Sequence, residues 1–270
     1  MSSPDVSAVQ LIDFDANPVT TTEIIVTLAA RALADKVRVF AGVGLPTLAV
    51  DLARRISNEN LELVYESGVC GAHPTAMAEG IGDSVVVSYS EAVLSMAGLF
   101  GYVLQGGNID VGFLGAAQVD RYGSLNTTFI GDWEQPQVRL PGAGGAIEIM
   151  QNAKEVFVIL RRHDRAAFPA QLDFCTSPSP VAAAKDPLGI QPAGVGTTRV
   201  FTPLGVLTRE DPMGELVLTS VHPGVSVEHV LEHTGWPLQV SPDLAVTVLP
   251  TEHEVHLLRN EIDRVRLYLR

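Results

Sequence analysis

Cysteine is nearly absent from this 270-residue chain, with only Cys70 and Cys175 present. Two thiols are too few for a disulfide framework and have no metal-ligand spacing, so the expected compartment is the reducing cytoplasm. Basic residues are also scarce: 18 Lys plus Arg face 31 Asp plus Glu, for a formal net charge of −13. A surface of that sign repels phosphate backbones and anionic lipid headgroups, which argues against nucleic-acid and membrane-surface roles. Long apolar runs are missing too. The most apolar window, residues 85–105, is interrupted by Glu91, Gly98, Gly101 and several serines, whereas a membrane span needs about 20 mostly apolar residues. The first residues carry no basic stretch followed by an apolar run, so no signal peptide is expected. No G-x-S-x-G and no G-x-x-x-x-G-K-[ST] occurs.

The chain does have 46% hydrophobic residues with only 18% charged, ample material for a buried core and the opposite of a disordered composition. Residues 1–17 are polar and proline-containing and read as a loose arm; residues 18–270 read as one domain. Helical spacing begins near Thr20, with Ile24, Ile25, Leu28, Ala29 and Leu33 on one face. Val37–Ala41, Leu61–Tyr65, Val85–Ser88, Ile109–Leu114 and Glu155–Leu160 read as strands. Pro46–Ile56 and Glu91–Leu104 read as helices between them, the second with Ala92, Met96, Leu99 and Val103 inward. Strands separated by helical stretches predict an α/β fold: an open, mainly parallel sheet with flanking helices. Asp164–Gly196, rich in Pro, Ala and Gly, suits a linker or a long excursion over the sheet. Strands are expected at Arg199–Thr202 and Leu216–Val221, and helices at Val225–His233 and Glu252–Asp263.

Open α/β sheets bind ligands at the carboxyl ends of their strands. The segments that follow predicted strands are therefore the candidates: Gly42-Val-Gly44, Glu66-Ser-Gly68 and Gly115-Ala-Ala-Gln118. A further glycine loop, Pro141-Gly142-Ala143-Gly144-Gly145, precedes a helix-like stretch. Glu66 is the one well-placed carboxylate. It can attack a carbonyl carbon, because the anhydride it would form is itself reactive. The same position also suits a solvated glutamate or a helix cap. The N–H groups of the 142–145 loop can hold an oxyanion or a phosphate, or simply turn the chain. Gly42-Val-Gly44 is half a dinucleotide fingerprint and lacks its third glycine. Cys70 with His73 allows a Cys–His nucleophile or an inert thiol. Arg161-Arg-His-Asp-Arg165 suits an anionic ligand or a solvated turn. His253 and His256 stand three apart with no third ligand nearby, and no metal site is expected.

In order along the chain, Tyr65-Glu-Ser-Gly-Val-Cys-Gly-Ala72, Gln105-Gly-Gly-Asn-Ile-Asp110, Leu114-Gly-Ala-Ala-Gln-Val-Asp120 and Leu140-Pro-Gly-Ala-Gly-Gly-Ala146 resemble the signatures of family I CoA-transferase β subunits. Phe201-Thr-Pro-Leu-Gly-Val-Leu207 and Val221-His-Pro-Gly-Val-Ser226 resemble its glutaconate-type branch. The Glu-Ser-Gly triplet is that branch's form; the 3-oxoacid branch carries Ser-Glu-Asn-Gly. Asn108, where His is frequent, departs from the pattern, as does Cys175, where Ile-Thr-Ser-Pro is more usual. The resemblance implies the CoA-transferase form of the α/β fold and an active site shared with an α subunit. Coenzyme A would be substrate and covalent intermediate, with no permanently bound cofactor. It implies Glu66 as nucleophile, and Gly142, Ala143, Gly144, Gly145, Gly42, Gly44 and Gly68 as oxyanion- and CoA-binding positions. The reaction implied is CoA transfer between an acyl-CoA and a carboxylic, possibly dicarboxylic, acid. Acyl-CoA hydrolysis or decarboxylation on the same fold, a non-catalytic partner subunit, or a sugar-phosphate isomerase on a related sheet are the alternatives. The isomerase would need a basic phosphate pocket, and no basic cluster stands beside Glu66.

Overall fold

A computed structural model describes residues 18–185 and 192–269; the expected arm, residues 1–17, lies outside the described residues. The first helix, α1 (Thr21–Arg31), starts where the helical spacing predicts, and a capping box closes its first turn. Thr20 Oγ1 accepts from the Glu23 N–H while the Glu23 carboxylate accepts from the Thr20 N–H. After β1 (Arg38–Phe40), Gly44 caps α2 (Leu45–Ile56) with φ +130°, and Pro46 occupies the first turn of that helix. The chain continues through β2 (Glu62–Val64), β3 (Val69–Cys70) and β4 (Ala92–Val93) to a helical turn, α3 (Met96–Gly98), and then β5 (Val111–Leu114). Two small hairpins follow, β6 (Gln118–Val119) with β7 (Leu125–Asn126) and β8 (Phe129–Gly131) with β9 (Pro136–Arg139). Next come α4 (Ala146–Asn152), β10 (Glu155–Ile159), α5 (Pro180–Ala183), β11 (Thr197–Phe201), β12 (Gly205–Thr208) and β13 (Val217–Val221). The chain ends with α6 (Val227–Glu232), β14 (Gln239–Val246) and α7 (Glu252–His256).

Among the described residues, ten strands form one sheet in the order β14-β13-β12-β11-β10-β5-β1-β2-β3-β4. Its centre, from β11 through β10, β5 and β1 to β2, is parallel, as expected; β3, β4 and β12 pair antiparallel with their neighbours. Alternation along the central strands divides the core between the two faces. Val39, Leu63 and Phe157 pack with α1, α2 and the C-terminal Leu257, Leu258 and Ile262. Phe40, Val64 and Val158 pack with Ile149 and Met150 of α4 and with Leu99 and Leu104. Helices thus cover both faces, as a parallel centre requires. Each large apolar side chain buried this way contributes about 1.5–3 kcal/mol.

Two expectations are corrected. Val85–Ser88 is not a strand but a 3₁₀ turn, Ser84–Val87. Asp83 Oδ1 accepts from the Val85 N–H and closes the turn, a local bond that outcompetes the β preference of three valines. The helix expected over Glu91–Leu104 begins only at α3, because Ala92 and Val93 are recruited as the edge strand beside β3. Ser95 caps α3, which widens into a π-helical turn over Leu99–Leu104. That widening changes the helical phase, so Leu99 and Leu104 are buried while Met96 is 58% exposed. The 164–196 segment is an excursion. The Ala167 carbonyl accepts from the Val119 N–H, and Ser177 bridges to Leu125, which ties the segment over β6 and β7; residues 186–191 lie outside the described part.

Candidate active site

Glu66 sits two residues past the end of β2, at the carboxyl edge of the parallel centre. A tight turn presents it: the Tyr65 N–H donates to Val69 O (2.9 Å) and the Gly68 N–H to Tyr65 O (3.0 Å). Gly68 has φ +100°, and a Cβ there would fall 2.0 Å from the carbonyl oxygen of Leu94. Only glycine serves at that position, on grounds of both conformation and space. The Leu94 N–H donates back to Gly68 O at 2.9 Å, so the edge strand holds the turn from outside. Below the turn the Tyr65 ring is fully buried, while Glu66 itself is half-buried and Ser67 exposed.

The 142–145 loop comes to the same place. Thr127 fixes its start, donating from Oγ1 to Gly142 O at 2.8 Å and accepting at its carbonyl from the Gly142 N–H at 2.9 Å. Gly142 (φ +98°) and Gly144 (φ +48°) take backbone conformations suited to glycine. A Cβ on Gly145 would stand 3.1 Å from Glu66 Oε1, and one on Gly144 3.8 Å from the same oxygen. The Phe100 ring closes the other side, 2.7 Å from the Gly145 Cβ position. The N–H groups of Ala143, Gly144 and Gly145 donate to no protein acceptor among the described residues. A carboxylate thus stands beside free backbone donors, the arrangement a tetrahedral oxyanion needs.

Gly42 and Gly44 occupy different ground. With Gly115–Gln118, Leu140, Ile159, Arg161 and Arg162 they line a cavity of about 790 Å³ at the carboxyl ends of β1, β5 and β10. Leu140 carries the cavity wall into the loop that reaches Glu66. Ile130 and Val138 of the β8–β9 hairpin form another wall, one that the sequence motifs do not point to. The signal for it was two short β-rich runs flanking Gly131-Asp-Trp-Glu.

The remaining candidates stay apart from this chemistry. Cys70 Sγ faces the Gly68 carbonyl at 3.8 Å, and burial pushes its thiol pKa up, which fits the inert reading. His222 is buried between Thr247 Oγ1 (2.9 Å) and Thr202 O (2.8 Å) as a structural link. His163 lies stacked on Phe168, and burial lowers its pKa to about 4. His253 and His256 are exposed on α7. No group of three or more His, Cys, Asp or Glu that could hold a metal ion occurs among the described residues.

Residues 22–233 match the family model described as Coenzyme A transferase. This chain belongs to the coenzyme A transferase family. It is 43% identical to the B subunit of 3-oxoadipate CoA-transferase from Pseudomonas knackmussii, over 89% of this chain and 92% of that protein. The crystal structure of glutaconate coenzyme A-transferase from Acidaminococcus fermentans superposes with a TM-score of 0.84 at 27% identity, covering 93% of this chain and 98% of that one. The decarboxylase AibA/AibB superposes at 0.78 with 26% identity, covering 93% and 97%. The α/β fold and the resemblance to CoA-transferase β subunits are therefore borne out. No described helix is long and apolar enough to cross a membrane.

Proposed function

We propose that this chain is the glutamate-bearing β subunit of a two-subunit CoA-transferase and that Glu66 is its nucleophile. The observation that carries the reading is the Glu66 carboxylate lying against the Gly144–Gly145 backbone, beside unpartnered N–H donors. The Glu66 carboxylate attacks the thioester carbonyl of an acyl-CoA, and the loop N–H groups receive the developing oxyanion. Collapse expels CoA thiolate and leaves an acyl-glutamyl anhydride. The thiolate then attacks the glutamyl carbonyl, releasing the acyl group as its carboxylate and leaving a γ-glutamyl-CoA thioester. An acceptor carboxylate reverses these steps and departs as its CoA ester. Coenzyme A is carried substrate, and no resident cofactor enters.

Glu66 is half-buried in the isolated chain, and an α subunit is the partner that would complete the enclosure. The likeness to one subunit of 3-oxoadipate CoA-transferase and to the paired AibA/AibB supports that assembly. The single ten-stranded sheet supports reading residues 18–270 as one domain, and the scarcity of cysteine supports a cytoplasmic enzyme. The decisive experiment incubates the α-paired enzyme with acyl-CoA alone. CoA should become covalently attached to this chain, hydroxylamine should release it, and Glu66→Ala should abolish both attachment and transfer. A Glu66→Gln variant that transfers at wild-type rate from the first turnover overturns the mechanism. The likeness to AibA/AibB supports decarboxylation as the second reading; CO₂ release from a carboxyacyl-CoA, with no transfer to added acids, would favour it.

A further inference from the structure

We propose that Arg161 is the specificity-determining residue for the acceptor acid: its guanidinium binds the far carboxylate of a short dicarboxylate whose chain lies along the cavity wall. This rests on the reading of Glu66 given above.

The cavity is mostly apolar. Val43, Leu45, Phe113, Ala116, Ile130 and Leu140 are among its apolar lining, which suits methylene groups. Its polar members differ in how far they are already engaged. Gln118 donates to Asp173 at 3.1 Å and accepts from Asn126 at 2.8 Å. Arg162 gives both Nε and Nη2 to Asp164 Oδ2, at 2.9 and 2.7 Å. Arg161 makes one hydrogen bond, from Nη2 to the Tyr268 carbonyl at 3.1 Å, and has no carboxylate partner among the described residues. An arginine without a counter-ion at the rim of an apolar cavity, in a chain of net charge −13, is matched to a ligand that brings one negative charge. A guanidinium fork fits a carboxylate. The phosphates of CoA, with several charges, would ask for several free cations.

The spacing agrees. Strands β10 and β2 are separated by β5 and β1, and three inter-strand steps amount to about 14 Å. The terminal carbons of a five- or six-carbon diacid lie roughly 5–6 Å apart by bond length. The difference falls within the combined reach of a glutamate and an arginine side chain directed along the sheet edge. One loop joins the two places: Leu140 lines the cavity, and Gly145, five residues on, stands beside Glu66.

The test uses the α-paired enzyme with acetyl-CoA as donor and compares glutarate with pentanoate, and adipate with hexanoate, as acceptors. Wild type should prefer each diacid. In Arg161→Gln that preference, as a ratio of kcat/KM values, should fall about 10- to 100-fold, with the loss entering through the acceptor KM. Arg161→Lys keeps the charge without the fork and should fall between the two. An unchanged diacid-to-monoacid ratio in Arg161→Gln overturns the proposal, as does an equal loss for both acids, which would assign Arg161 to structure or to CoA. If the wild-type enzyme neither transfers CoA nor acquires a CoA adduct, the Glu66 reading has failed instead.

Discussion

The missing side chain of Gly145 leaves the space in which Glu66 works. A Cβ there would sit 3.1 Å from Glu66 Oε1 and 2.7 Å from the Phe100 ring. Gly145→Ala has no backbone penalty, since φ is −84°. Its cost falls on the ring and the carboxylate, which must shift. Displacements near 1 Å cost about a hundredfold in rate when attack geometry matters. Gly145→Ala should therefore fold but lose about that much transfer activity. Gly42→Ala should melt like wild type, because its Cβ meets nothing within 4 Å. Steady-state kinetics and thermal melts of the pair check both halves.

Glu66→Asp keeps the charge and withdraws the carboxylate by one methylene, about 1.5 Å of bond length. It should transfer CoA at least a hundredfold more slowly. Acyl-CoA hydrolysis should rise relative to transfer, since the vacated space admits water and the aspartate acts as general base. Thiol release with and without acceptor acid separates the two rates.

Glu23 and Arg259 form a buried, two-pronged ion pair, with Nε to Oε1 at 2.6 Å and Nη2 to Oε2 at 2.9 Å. It links the first turn of α1 to the π-helical turn at Leu257–Ile262. Burial alone would raise the Glu23 pKa; the bonds from Arg259 and Thr20 outweigh it and hold the carboxyl below its usual value of 4.5. With the folded pKa depressed, the stabilisation is present above 4.5 and is lost as pH falls through the folded value. Glu23→Gln should cost about 1.5–3 kcal/mol at neutral pH by removing the charge from two hydrogen bonds to the buried Arg259. The gap to wild type should narrow below pH 4.5. Denaturant unfolding across that pH range measures it.

Cys70 lies four residues beyond Glu66, yet burial raises its thiol pKa, leaving it protonated at neutral pH and a poor nucleophile. Cys70→Ala should retain transfer within about threefold, because a partly buried thiol here is a packing group. Iodoacetamide should not abolish activity; assays before and after treatment decide.

The parallel centre and its order of strands and helices were legible because local signals agreed. Helical spacing began near Thr20, residues 61–65 alternated, residues 156–160 formed a continuous apolar run, and glycine loops followed β1, β2 and β5. Glu66 was legible as a lone carboxylate at a strand end. Its neighbours were partly hidden. Phe100 looks like any core aromatic in the sequence, and only the π-helical turn brings its ring to Gly145. Arg161 read more readily as part of a solvated turn, since its lack of a counter-ion depends on Arg162 taking Asp164. Val85–Ser88 misled because a backbone bond to Asp83 outweighed side-chain preference, and β4 was missed because two residues carry no periodicity.

The reciprocal closeness of Gly68 and Leu94 ties the nucleophile's turn to the rim of the sheet. The Leu94 amide donates to Gly68 O, so a backbone opening that parts the Glu66 turn from the edge strand breaks that bond. Hydrogen exchange at the Leu94 amide is therefore a built-in gauge of how firmly the carboxylate is aimed. Followed with and without acyl-CoA or the α chain, that single proton reports whether assembly stiffens the site or finds it already rigid.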